Sequence, residues 1–327
     1  METIWFCLLA FLLTGYAILD GFDLGAGVVH LTAARTAPDR ARVLASIAPF
    51  WDANEVWLIA AGGTLFCAFP ALYAAAFAGF YLPLMLVLWL LMLRGIAIEL
   101  RGHIDHPMWI SLWDAIFGGA SALLAFIFGA ALGNVIRGVP LNRDGAFFLP
   151  LWGPSGGILD WYTSLTGLLA LAVLTLHGAH WVRLKTDGPL ADATAITARR
   201  AWLVTVLLTL AATAATFAIQ PQVARSFAER PAGAIFPCLA ASGLWWSRRS
   251  FAGSSLLIFG LMSSAAFGLF PLTLPALGGP SLSLTVHNAA APRASLGVAL
   301  IWWPPAMALT IGYFVLLHRR FAGKLGV

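Results

Sequence analysis

Long apolar runs separated by short polar connections make up almost the whole chain. Nine runs have the length of a membrane helix or approach it, roughly Ile4–Leu31, Glu55–Pro70, Leu72–Ile98, Trp109–Ile136, Ile158–Val182, Ala201–Ile219, Ala232–Trp246, Phe251–Leu277 and Ala294–Leu317. About 20 apolar residues cross the hydrocarbon core of a bilayer as a helix. The pattern therefore predicts an all-α polytopic membrane protein with about nine transmembrane helices. The longest polar connections are Thr32–Phe50, Arg137–Gly157 and Arg183–Arg200. None is long enough for a soluble domain, so residues 1–327 read as one membrane domain. No internal repeat stands out. The first run lacks a basic leader and a small-residue cleavage site, so it reads as a retained span.

Composition agrees. The chain is 60% hydrophobic and only 10% charged, and its mean hydropathy is +0.86. The net charge of +5 is spread singly over span ends, which is no nucleic-acid footprint. Fourteen of the 19 Lys and Arg fall on one set of alternate span ends, beginning with Arg35, Arg40 and Arg42. The positive-inside rule then places the N-terminus outside and the C-terminus in the cytoplasm. Cys7, Cys67 and Cys238 lie scattered in apolar runs without a CxxC pair, and read as buried free thiols without metal or disulfide duty.

The acids are concentrated in the first third. Asp20 and Asp23 share a face near the inner end of the first span, three residues apart. Asp52 and Glu55 open the second span just after Pro49, where a new helix is expected. Glu99 ends the third span between Arg94 and Arg101. Five carboxylates thus reach one depth on one side, and residues 106–327 read mainly as helical scaffold. Acids inside a membrane are costly, and they mark functional positions. Crowded together they repel, so one must hold a proton or be neutralised by Arg94 or Arg101. Such groups suit proton transfer; N-terminal capping beside an interfacial Trp belt is the plainer reading. Asp23, Asp52 and Asn54 could instead offer hard oxygen ligands to a cation. Gly21 and Gly25 form a G-x-x-x-G pair suited to close helix packing. His30 and His177 form a weak haem-ligand pair; interfacial hydrogen bonding suits them better. No phosphate loop, HExxH or nucleophile elbow occurs.

Three motifs carry a resemblance. They are Asp20-Gly21-Phe22-Asp23-Leu24-Gly25, then Ser46 to Ile59 with Pro49-Phe50-Trp51-Asp52-Ala53-Asn54-Glu55 at its centre, then Leu93-Arg94-Gly95 to Glu99-Leu100-Arg101. Phe66 to Phe77 and Gly133-Asn134 with Arg137-Gly138-Val139-Pro140 extend it. In order and spacing these resemble subunit II of the cytochrome bd-type quinol oxidases. The resemblance implies a nine-helix subunit of the bacterial cytoplasmic membrane that pairs with a subunit I. The partner would carry two b haems, haem d and the quinol-oxidising loop, with room for small accessory subunits. This chain would bind no haem. The family pattern assigns proton delivery for O₂ reduction to Asp23, Asp52 and Glu99, with Asp20, Glu55, Arg94 and Arg101 in support. Glu99 departs from members with Asp at that place, and Phe50 replaces a His seen in some. The alternative is a stand-alone proton-coupled transporter, which would call for broken helices and a midplane site between matching halves.

Overall fold

Interruptions in the apolar pattern set the helix ends. The computed structural model describes residues 1–152 and 157–325. The first run is α1, Glu2–Thr32, about 46 Å long at 1.5 Å per residue. The connection after it, read as polar loop, holds a helix of its own, α2, Ala37–Ile47. Thr36 starts it with a capping box: its hydroxyl accepts the Asp39 N–H at 3.2 Å and donates to Asp39 Oδ2 at 2.7 Å. Helix α3, Trp51–Ala68, begins directly after Pro49 and Phe50, as the proline predicts.

The third run departs from expectation. Instead of one helix over Leu72–Ile98 there are two, α4, Pro70–Gly79, and α5, Tyr81–Leu100. Phe80 stands outside helical geometry between them, at φ −99° and ψ 25°. Pro83 accounts for the break, because it has no N–H to donate to the Gly79 carbonyl four residues earlier. Helix α6 spans Pro107–Arg137. Residues 153–156 of the next connection lie outside the described residues. Asp160 then caps α7, Trp161–Lys185, by accepting the Thr163 N–H at 2.8 Å. Helix α8, Pro189–Ile219, starts a dozen residues earlier than its apolar run. At 31 residues it outruns the hydrocarbon core, so its polar first turns fit the interface. Helices α9, Pro221–Glu229, α10, Ile235–Trp246, and α11, Phe251–Leu269, follow. The eighth run ends at Leu269 rather than Leu277, giving way to a short antiparallel pair, β1, Leu272–Leu274, with β2, Leu284–Thr285. Helix α12, Arg293–Arg320, completes the chain.

The protein is about 79% helical, so the all-α reading stands apart from that hairpin. Among the described residues seven helices are long and apolar enough to cross a membrane: α1, α5, α6, α7, α8, α11 and α12. The acids and Asn54 of its first turn hold α3 below that mark, and α10 has only 12 residues. The cysteines correct the expectation: Cys7, Cys67 and Cys238 are exposed. In a membrane helix an apolar neighbourhood faces lipid as readily as core, so pattern alone does not bury a thiol.

Helix α1 is central, with α6 and α7 against it. At Gly25 a Cβ would stand 1.8 Å from the Leu174 carbonyl oxygen, and at Gly178 one would stand 2.1 Å from the Gly25 carbonyl carbon. Backbone meets backbone there, which only glycine allows. Gly21 faces the same helix, against Leu174. The G-x-x-x-G face of Gly21 and Gly25 is thus spent inside the chain.

Candidate functional site

Three of the five sequence-predicted acids, Asp20, Asp23 and Glu55, meet around Arg94. This side chain projects from α5 into the interior and is completely buried. Its Nη2 donates to Asp20 Oδ1 of α1 at 2.7 Å and to Glu55 Oε1 of α3 at 2.7 Å. Asp20 is fully buried, whereas the Glu55 side chain keeps 27% of its exposure. One turn along α1, buried Asp23 accepts from Asn54 Nδ2 at 2.7 Å, and the same amide donates to the Leu19 carbonyl at 3.0 Å. Three helices distant in sequence thus enclose three carboxylates, one amide and one guanidinium.

This group is short of partners. Buried without one are Tyr16 Oη, Asp20 Oδ2, Asp23 Oδ1, Asn54 Oδ1, Trp57 Nε1, and Nε and Nη1 of Arg94. Donors and acceptors are both present, a combination that bridging water is chemically suited to satisfy. Tyr16 lies one turn from Asp20 along α1, on the side away from Asp23.

Asp52 and Glu99 sit elsewhere. Both are exposed on the flanks of α3 and α5, and neither side chain makes a hydrogen bond or ion pair among the described residues, although the Glu99 carbonyl meets His103 Nδ1 at 3.0 Å. The trio Asp23, Asp52 and Asn54 does not close into a cation site: Asp52 points outward while the other two are buried. No set of three His, Cys, Asp or Glu with metal-binding geometry occurs among the described residues.

Arg101 supports a different acid from the one expected. It donates from Nε to Asp114 Oδ1 at 2.5 Å. Asp114 Oδ2 receives Arg40 Nη1 at 3.1 Å, and His30 Nε2 stands 2.7 Å from Oδ1. Sequence reasoning missed Asp114. The signal was available, because it is the only charged residue between Pro107 and Ile136.

The family model for cytochrome bd terminal oxidase subunit II matches residues 1–321. The chain belongs to the cytochrome bd subunit II family. It is 32% identical to the Escherichia coli cytochrome bd-I ubiquinol oxidase subunit 2, over 98% of this chain and 93% of that one. To a probable cytochrome oxidase subunit 2 of Haemophilus influenzae it is 30% identical, over 99% and 95%. The fold is similar to a chain of the bd oxidase structure from Geobacillus thermodenitrificans, with TM-score 0.73, 18% identity and 98% of each chain covered. Membership in this family of oxidase subunits replaces the stand-alone transporter reading.

Cytochrome bd oxidases contain haem, and His30, His177 and His180 of this chain are buried. His177 has both ring nitrogens engaged, Nδ1 with Ser254 Oγ at 2.8 Å and Nε2 with the Ile18 carbonyl at 2.9 Å. Its ring stacks on Phe251 at 4.4 Å. His180 Nε2 donates to the Ser247 carbonyl at 2.6 Å, and His30 is held by Asp114. With His177 committed on both sides, the pair His30 and His177 does not fit axial ligation.

Proposed function

We propose that this chain is the haem-free second subunit of a bacterial quinol oxidase, bracing a haem-bearing subunit I and helping to carry cytoplasmic protons toward the site of O₂ reduction. Nine crossings are proposed, α3 and α10 being the two short ones, with the N-terminus outside and the C-terminus in the cytoplasm. The basic residues at alternate span ends support that orientation. The two b haems and haem d belong to the partner, together with quinol oxidation. Accessory subunits and a quinone may be sought on the assembled complex rather than on this chain.

The observation that carries the proton role is the buried group around Arg94. Two carboxylates, Asp20 and Glu55, share one guanidinium at 2.7 Å each. Asp23 has only the neutral Asn54 as partner. Three acids against one cation leave two negative charges uncompensated if all are ionised, and in a low-dielectric interior a proton is the least costly counter-charge. The partnerless polar atoms offer hydrogen bonds to water, and water would link one carrier to the next. Asp52 and Glu99, unpaired and exposed on this chain, stand at the flank where protons would be collected. Glu55, partly exposed, joins that flank to the buried acids.

The test is made on the intact two-subunit complex. Asp52→Asn and Glu99→Gln should lower quinol oxidation severely while haem content stays near wild type. Asp52→Glu should retain part of the activity. Loss of haems together with activity would show instead that these residues hold the subunits together, and the relay would be dropped. Quinol oxidation by this chain expressed alone would overturn the subunit reading itself.

A further inference from the structure

Away from the carboxylates, a cleft opens between α8 and α10 at the end of the bundle where α8 begins. Helix α8 packs on α7, and α10 packs on α11. The two are tied to each other by Trp202, whose indole N–H donates to the Leu244 carbonyl at 2.8 Å. The cleft has a volume of about 420 Å³ and is lined by Arg199, Trp202, Leu203, Arg248 and Arg249 with Ala195. Among the described residues none of the three guanidinium groups has a carboxylate within 4.0 Å or a hydrogen-bond acceptor on the chain. The Arg248 guanidinium lies 5.0 Å over the Trp202 ring, which holds it at the cleft wall.

Depth gives the cleft its meaning. Arg199, followed by Arg200, precedes the apolar part of α8, and Arg248 and Arg249 follow the end of α10 after Ser247. Both helices thus put their cations at the level of lipid headgroups. An apolar groove of about 580 Å³, lined by Ala241, Ser242, Trp245, Trp246 and Leu256, lies along α10 on the membrane side of those arginines. A cationic cleft at the end of α10, with an apolar groove along the same helix, matches a molecule with an anionic head and hydrocarbon tails.

We propose that the α8–α10 cleft is a binding site for an anionic phospholipid, its phosphate held by Arg199, Arg248 and Arg249 and an acyl chain lying along Trp245 and Trp246. Arginine suits this role because its planar fork meets phosphate oxygens two at a time. The site is distinct from the acids around Arg94, so it concerns where the subunit sits among lipids rather than how it moves protons.

The test uses the complete oxidase complex, exchanged into nanodiscs of phosphatidylethanolamine doped with cardiolipin or phosphatidylglycerol. Native mass spectrometry should find anionic lipid retained by the wild type. The triple variant R199Q/R248Q/R249Q should retain it about tenfold less or weaker still, since each arginine near the headgroups contributes separately. The triple lysine variant, which keeps the charge, should recover part of the retention, and Trp245→Ala should weaken it without touching the headgroup contacts. Haem content reports folding of each variant. Equal retention in wild type and the glutamine variant overturns the proposal. So does equal retention of uncharged lipid, or displacement of the bound lipid by millimolar inorganic phosphate alone, which would reduce the cleft to a simple phosphate site. Protection of the cleft by a co-purifying polypeptide in lipid-free complex would assign it to a protein partner and overturn the proposal as well.

Discussion

The two buried acidic groups differ in how completely they are satisfied. Asp114 is one carboxylate among three basic side chains, Arg40, Arg101 and His30, with both its oxygens taken. Around Arg94 the ratio is reversed: three carboxylates share one guanidinium, and seven buried polar atoms have no partner. A carboxylate surrounded by cations has little reason to change its proton. It works as a fastener, tying α2 and the connection after α5 onto α6. An acid-rich group with vacant hydrogen-bonding capacity can take up and release charge at small cost. Similar residue types thus give a fully paired carboxylate in one place and, in the other, the under-paired group to which the proton role is proposed.

The contrast is broken most sharply at Arg94. Arg94→Met leaves Asp20 buried beside Glu55 without a counter-ion, and should destabilise the complex by about 3–5 kcal/mol. Thermal unfolding and haem content would both register it. A variant with wild-type stability would mean that Asp20 is neutral in the native protein. Asp114→Asn comes next. It strips the charge from a carboxylate with three basic partners, two of which reach toward solvent, so about 2–3 kcal/mol is expected. Turnover per assembled haem should stay unchanged, and a selective loss of turnover would move Asp114 from lock to relay.

Asp23→Asn is expected to do the opposite. It keeps shape and the Asn54 contact, so stability should change by about 1 kcal/mol or less, while turnover falls. Unchanged turnover would leave Asp23 a packing residue. The smallest effect belongs to Asp160, outside the spans. Its partial burial favours the neutral acid, but the Thr163 N–H and the Arg137 guanidinium outweigh that and hold its pKa below the ordinary carboxylate value. A lowered pKa contributes stability above the unfolded value, near 3.9, and that contribution is lost as pH falls through the folded value. The melting temperature of wild type and Asp160→Asn should therefore differ at pH 7 and converge below about pH 4. A constant difference would assign the effect to the capping hydrogen bond alone.

Much of the first group was legible in the sequence. Asp20 and Asp23 stand three apart, and Asn54 and Glu55 follow a proline, so helical periodicity and chain punctuation placed them. The depth argument then brought Arg94 to the same level. The second group was not legible as a group, because Arg40, His30 and Arg101 lie 74, 84 and 13 residues from Asp114. Pairing over such distances is set by tertiary packing, which no local period encodes. The same limit hid which side of α3 and α5 carries Asp52 and Glu99, and which side of an apolar run carries a cysteine. The break at Phe80 was closer to reach, since Pro83 stands in the sequence as a missing donor.

The crossing at Gly25 and Gly178 fixes one wall of the carboxylate chamber. With main chain resting on main chain, α1 and α7 have no side-chain cushion to compress, and sliding either would drive carbonyl into carbonyl. Asp20 and Asp23 are mounted on that immovable wall. Any breathing that admits or expels water must come from the opposite wall, where α3 and α5 contribute Asn54, Glu55 and Arg94. On the proposed proton role, the acids of α1 would serve as a stationary reference, and the path would open and close by displacement of the helices facing them.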